Sequence, residues 1–355
     1  MRRFIRGMLT FFAVQGGLFL RAQAQEDIKV VWDASLDFFF DNREYGNSSV
    51  NWSQTLFGLR FAPEIGVRFE ERHAIMAGIN FLADFGAPKV LKADDYIAYY
   101  QYKGTQFSAY AGLIPRAKSI GSYSYAFFSD SIYYYAPNLS GLLLQYRNQR
   151  GYAEFGVDWN SKIAQTRREK FLLFLGLRIN AGLFYAGFQA NMYHHARSVL
   201  WSGVVDNMLI YPHVGIDLAN VFHFELFDVQ SGWFQAFQND RSHVDKYVKP
   251  GGFQLRACLQ KWHFGIDNTL YIGRNLMPYW VAPAPNLDYG PGLYWGEPFY
   301  RTDSGYDRLE LYWQSQIGKR ISLRFSSVHH FDGCQWGWQQ KARLIVNLGQ
   351  NKVIK

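Results

Sequence analysis

The chain has 355 residues, of which 18% are aromatic, with a mean hydropathy of −0.20 and a formal net charge of +8. Two sparse cysteines, Cys258 and Cys334, exclude a disulfide scaffold and offer no metal-ligand spacing, so no metal and no other cofactor is implied. Half of the charge excess sits in four arginines before residue 25, leaving +4 for the rest. No basic tract or recognition module points to nucleic acid.

Residues 1–24 read as a signal peptide. Arg2, Arg3 and Arg6 precede an apolar stretch from Met8 to Leu20, and Ala22-Gln23-Ala24 gives a small-x-small cleavage site. The apolar run is too short to span about 30 Å of hydrocarbon, and no later segment has 18 consecutive apolar residues.

After the leader the signal is period two. Phe57, Leu59, Phe61, Ile65, Val67 and Phe69 fall on one parity, with Arg60, Glu64, Arg68 and Glu70 on the other. Ile28, Val30, Trp32, Leu36 and Phe38 alternate likewise with Lys29, Asp33 and Asp37. Trp336, Trp338, Ala342, Leu344, Val346 and Leu348 oppose Gln339, Lys341, Arg343 and Asn347. Successive side chains of a strand point to opposite faces, so each segment has an apolar wall and a polar wall. Such segments are expected near 28–40, 54–70, 73–84, 94–103, 105–116, 139–148, 151–160, 170–180, 182–195, 207–219, 221–237, 251–260, 262–273, 306–317, 320–331 and 335–348.

The connections alternate too. Tight ones, such as Glu70-Glu71-Arg72, Lys103-Gly104, Gln149-Arg150, Ala219-Asn220 and Gly318-Lys319, are separated by long ones at 41–53, 117–138, 196–206, 238–250 and 274–305. Sorting by parity is what a membrane barrel with short inner turns and long outer loops requires. Trp32, Trp159, Trp262, Trp313 and Trp338 on the apolar parity suit interfacial girdles. The expected fold is therefore all-β: a closed antiparallel transmembrane β-barrel of about sixteen strands, with fourteen the nearest alternative. It occupies 25–348, followed by a short periplasmic tail at 349–355.

This pattern resembles porin-like outer-membrane proteins, and the high aromatic content with the closing Leu344-Ile345-Val346-Asn347-Leu348 looks like barrels of Bacteroides-type bacteria. Such barrels often finish on an aromatic residue, whereas this chain ends Asn351-Lys352-Val353-Ile354-Lys355. The resemblance implies the outer membrane of a Gram-negative cell, with outer-membrane lipid around the wall.

On the polar parity the expected pore-lining residues are Asp33, Asp37, Arg60, Glu64, Arg68, Arg116, Arg147, Glu154, Arg178, Asp217, Arg256, Asp267, Arg308, Glu310, Arg324, Lys341 and Arg343. Their signs nearly balance, which argues against strong charge selectivity. Asp33 and Asp37 lie on the first strand, Lys341 and Arg343 on the last, so closure predicts ion pairs at that seam. Loop 117–138, with seven aromatic residues around Asp130, is long enough to fold inward and narrow the barrel. Loop 274–305 carries Trp280, Asp288, Tyr294, Trp295 and Glu297, a candidate surface for sugar rings because C–H groups stack on aromatic faces while carboxylates accept hydroxyl hydrogens.

No Gly-x-Ser-x-Gly or His-Glu-x-x-His motif is present. The members of His194-His195 and His329-His330 point to opposite faces, so neither pair chelates one metal, and His195 and His330 fall on the lumen side. The sequence thus favours a channel for small polar solutes, possibly sugars, that is not an enzyme and has no catalytic residues. An occluded structural barrel is the alternative and a lipid-modifying hydrolase the third reading. The partners expected are lipid, small polar solutes and a second copy or a surface lipoprotein.

Overall fold

In the computed structural model, which describes residues 28–46, 48–241, 246–281 and 290–353, sixteen antiparallel strands close into one barrel. In chain order they are β1 (Lys29–Glu44), β2 (Gln54–Phe69), β3 (His73–Asp84), β4 (Leu91–Lys103), β5 (Phe107–Pro115), β6 (Asn138–Asn148), β7 (Gly151–Ser161) and β8 (Lys170–Ala181). There follow β9 (Phe184–His195), β10 (Val205–Asp217), β11 (Leu226–Asp240), β12 (Gly251–Lys261), β13 (Phe264–Gly273), β14 (Gly305–Ile317), β15 (Ile321–Phe331) and β16 (Trp336–Val353). Each strand pairs with its sequence neighbours and β16 returns to β1, so every strand is paired on both sides within the hydrocarbon. The expected leader lies outside the described residues.

Two boundaries differ from the alternation. The pattern carries β10 and β11 through 218–225, yet that stretch holds a helical turn over Ala219–Phe222. Asp217 Oδ1 accepts the Ala219 N–H (3.0 Å) and His223 takes a left-handed φ of 56°, a turn chemistry that outweighs the apolar parity of Phe222 and Phe224. At the other end β16 runs beyond Leu348 to Val353, pairing Lys352 with Trp32 and Val353 with Val31 past an irregularity in β1. Most of the segment expected as a tail is thus strand.

Outward residues such as Phe57, Phe61, Ile65 and Val67 are exposed to lipid, while Arg60 and Ala62 on the other parity are buried. Inward rings lean over glycines of the next strand. Phe174 covers Gly156 and Tyr312 covers Gly265, at a distance that leaves no room for a Cβ.

The lumen is crossed by segment 116–137, which includes helix α1 (Asp130–Tyr135). Its Ser124 N–H donates to Gln189 of β9 (2.9 Å), and Phe128 meets Phe174 of β8 edge-on. Phe127 packs on Phe234 of β11, Asp130 accepts from Lys341 of β16 (3.1 Å), and the Tyr134 carbonyl accepts from Arg60 of β2. Contacts so spread around the wall fix the segment across the barrel. Residues 290–304 pack on it from the outside. The Trp295 carbonyl accepts the Ser129 N–H (2.9 Å), and the Glu297 N–H donates to the Tyr125 carbonyl (2.7 Å). A polar cavity of about 230 Å³, bordered by Ser122, Tyr125, Gln189, Gln254, Arg256 and Arg343, remains beside the plug.

Candidate functional site

The expected inner-wall residues are engaged in several ways. At the seam, Arg343 grips Asp37 through two hydrogen bonds (2.9 and 2.7 Å), as closure predicts. Asp33 instead meets Lys118 of the plug (3.5 Å), and Lys341 turns to Asp130. Around Glu310 gather Arg308 (2.8 Å), Arg324 (2.8 Å) and Lys341 (3.6 Å), with Ser326 donating at 2.6 Å. Arg256 pairs with Asp267 (2.7 Å) and Arg116 with Asp158 (2.7 Å). Glu154 accepts from Ser119, Tyr123, Gln145 and two plug N–H groups, and Glu64 accepts from Tyr99 (2.9 Å). Arg178 lies over the Tyr185 ring, whereas Arg68, Arg147 and Asp217 stand near the short turns. Most of these charges hold the plug or one another.

The outer loop is equally engaged. Trp280 stacks on Tyr294 and lies beneath Arg301, and Trp295 lies beneath Arg116. Glu297 accepts from Asn51 (3.0 Å), and burial pushes its carboxyl up to about 7 despite the nearby Arg43. Asp288 lies outside the described residues. Of the two lumen-side histidines, His195 is fully buried. His330 stacks on Phe299 and bonds to Tyr306 (2.8 Å) and Gln339 (2.9 Å).

A different arrangement sits on the outer wall. In β15, Arg324, Ser326 and His330 point inward to the partners just named, so Phe325, Ser327, His329 and Phe331 face lipid. Residues two apart on a strand share a face, which brings Ser327 Oγ to 3.1 Å from His329 Nε2. Trp338 of β16 donates its indole N–H to the same Oγ (3.0 Å). An indole nitrogen only donates, so Ser327 accepts there and its own proton is free to point at His329 Nε2. In the tautomer that accepts this proton the imidazole hydrogen is on Nδ1, which is buried with no hydrogen-bond partner among the described residues. The ring is steadied by Trp336, 5.4 Å away. The outward carboxylate one diagonal off, Asp307, is opposite Phe331 and accepts from Asn268 (2.9 Å), so the arrangement is a Ser–His dyad.

Ser327 lies at the edge of an open apolar groove of about 780 Å³ on the same wall, lined by Phe40, Leu259, Phe264, Ile266, Leu311, Trp313, Phe325 and Ala342. It runs toward Lys261 at the β12–β13 turn. From Ser327 to the periplasmic turns is about six strand residues, roughly 20 Å at 3.3 Å per residue.

A closed barrel with an aromatic, lipid-facing wall and long loops at one end is an outer-membrane β-barrel protein. The sequence profile of the lipid A 3'-O-deacylase-type family matches residues 22–335, and the chain belongs to that family. No curated protein matches the sequence. Among solved structures, a loop-deleted form of OmpT, an outer-membrane protein of Vibrio cholerae, superposes with a TM-score of 0.54 at 8% identity, covering 90% of this chain and 99% of that one. OprD of Pseudomonas aeruginosa gives 0.49 at 11% identity, covering 91% and 95%. At such identities the likeness to OmpT concerns the fold alone.

Membership of a deacylase family overturns the expectation that the chain is not an enzyme. That expectation rested on absent soluble-hydrolase motifs and on histidines of the lumen face. Membrane lipid meets a barrel at its outer wall and not in its lumen. The sequence did carry a signal there: Ser327 and His329 are polar residues two apart on an apolar parity, where polarity is costly.

Proposed function

We propose that this protein is an outer-membrane ester hydrolase that removes an ester-linked acyl chain from lipid A or a closely related acylated glycolipid, with Ser327 as nucleophile and His329 as general base. The family match supports the reaction class. The observation that carries the assignment of residues is the Ser327–His329 hydrogen bond, in which Trp338 fills one acceptor site of Oγ and leaves the serine O–H available to Nε2.

In this reading the acyl chain lies in the groove and its ester carbonyl reaches Ser327. His329 Nε2 takes the serine proton as Oγ bonds to the carbonyl carbon. The tetrahedral adduct collapses by breaking the bond to the sugar oxygen, which takes the proton back from His329. Water, deprotonated by the same nitrogen, then attacks the acyl-serine, and the fatty acid leaves as Oγ is reprotonated. The plug supports this reading over a diffusion channel, because segment 116–137 crosses the lumen while the outer wall carries the reactive pair.

Purified protein mixed with lipid A in detergent micelles should release fatty acid and a lipid lighter by one acyl group, measured by mass spectrometry. Ser327→Ala and His329→Ala should each abolish the release. Full activity in both variants would refute the assignment, and no release by the wild-type protein from any acylated glycolipid would refute the function.

A further inference from the structure

Ser327 is the end of a polar row that crosses four strands on the lipid-facing wall. The register sets Ser327 opposite Gln340 of β16, Gln340 opposite Asn42 of β1, and Asn42 opposite Thr55 of β2. Phe40, Phe57, Phe325 and Ala342 flank the row on the same face. Four polar side chains thus align across the barrel seam, near the strand ends that carry the long loops.

Their hydrogen bonds run in one direction. The Thr55 hydroxyl donates to Asn42 Oδ1 (2.7 Å), which turns the Asn42 amide nitrogen toward β16. Asn42 Nδ2 donates to Gln340 Oε1 (3.3 Å). With its oxygen engaged on the β1 side, Gln340 presents its NH2 toward β15, where its directly paired neighbour is Ser327. Side chains so paired have Cβ atoms about 5 Å apart. Gln340 and Ser327 also border the same groove.

We infer that Gln340 Nε2 is an oxyanion donor for the reaction at Ser327, and that Asn42 and Thr55 are positioning residues that fix the orientation of its amide. The inference rests on the hydrolase reading above and adds a group to it. When Oγ bonds to the ester carbonyl, the carbonyl oxygen becomes negative. At a lipid-facing wall a preset N–H hydrogen bond to that oxygen needs no reorganisation at the moment of reaction and is worth more than one from bulk water. The amide neither gives up nor gains a proton in the step. It touches the ester oxygen, whereas Asn42 and Thr55 act through it.

The test is steady-state hydrolysis of a lipid ester in micelles, together with the rate at which a fluorophosphonate, a tetrahedral-adduct probe, labels Ser327. Gln340→Leu is the main variant; it makes the wall more apolar, so it does not oppose membrane insertion. It should lower kcat about 100-fold with little change in KM, and slow labelling to a similar degree. Asn42→Leu and Thr55→Val should lower kcat by smaller factors in that order, and Gln340→Asn should recover part of the loss. Wild-type kcat and labelling in Gln340→Leu, alongside a dead Ser327→Ala, would overturn this inference and leave the hydrolase reading intact. Activity surviving in Ser327→Ala would overturn both.

Discussion

The charge cluster on the inner wall makes a quantitative demand. Glu310 is 1% exposed and is the common partner of Arg308, Arg324 and Lys341, with Arg308 itself 2% exposed. Glu310→Gln keeps the shape and removes the charge, so Arg308 loses the carboxylate 2.8 Å away. Breaking a buried pair on one side costs about 3–5 kcal/mol, because the remaining ion is left uncompensated. Arg324 adds little, since its side chain is 32% exposed and solvent screens it. Urea unfolding in lipid vesicles should therefore show the barrel destabilised by about 3–5 kcal/mol in Glu310→Gln. The double variant Glu310→Gln with Arg308→Met should recover most of that loss. A double variant as unstable as the single one would refute the reasoning, for the cost would then lie in packing and not in charge.

Three other outcomes follow from the same geometry. Planar-bilayer conductance of the wild-type barrel should be small and should rise when 119–135 is replaced by a short Gly-Ser linker; equal conductance would mean that the plug does not obstruct the lumen. Glu297 has a carboxyl raised to about 7, so the stabilisation its protonated form gives is complete below the unfolded value of 4.5 and is lost as pH rises through about 7. Hydrogen exchange in 291–304, corrected for intrinsic rates, should accelerate across that range and lose its pH dependence in Glu297→Gln. Ala342→Trp should fill the groove between Phe40 and Phe325, displacing about two methylenes of a long chain at about 0.8 kcal/mol each, and so raise KM for a long-chain lipid roughly tenfold. A butyryl ester should be affected much less.

The container was legible because a barrel wall repeats one rule in every strand. Parity located all sixteen strands, and of the seam ion pairs that closure led one to expect between Asp33, Asp37, Lys341 and Arg343, Arg343–Asp37 forms. What parity leaves open is where a charge finds its partner: Asp33 and Lys341 are both drawn to plug residues, Lys118 and Asp130, that no strand register brings near. It failed at 218–225 because a helical turn with a left-handed residue carries apolar side chains at strand-like spacing. The candidate site was missed for a different reason. His329 was correctly placed on the apolar wall, and an isolated histidine there suits an interfacial girdle. Its serine partner two residues away, and the Gln340-Asn42-Thr55 row assembled from three other strands, become visible only once the register of β15, β16, β1 and β2 is known.

The central claim is that the reacting hydroxyl is on the lipid-facing wall. It is tested most directly by trapping the acyl-enzyme: protein incubated with a lipid ester is quenched in acid, digested and mapped by mass spectrometry. The account predicts an acyl mass on the peptide containing Ser327, absent from Ser327→Ala. An acyl group on a residue of the lumen face, or rapid deacylation of lipid with Ser327 unmodified under every quench time, would contradict it.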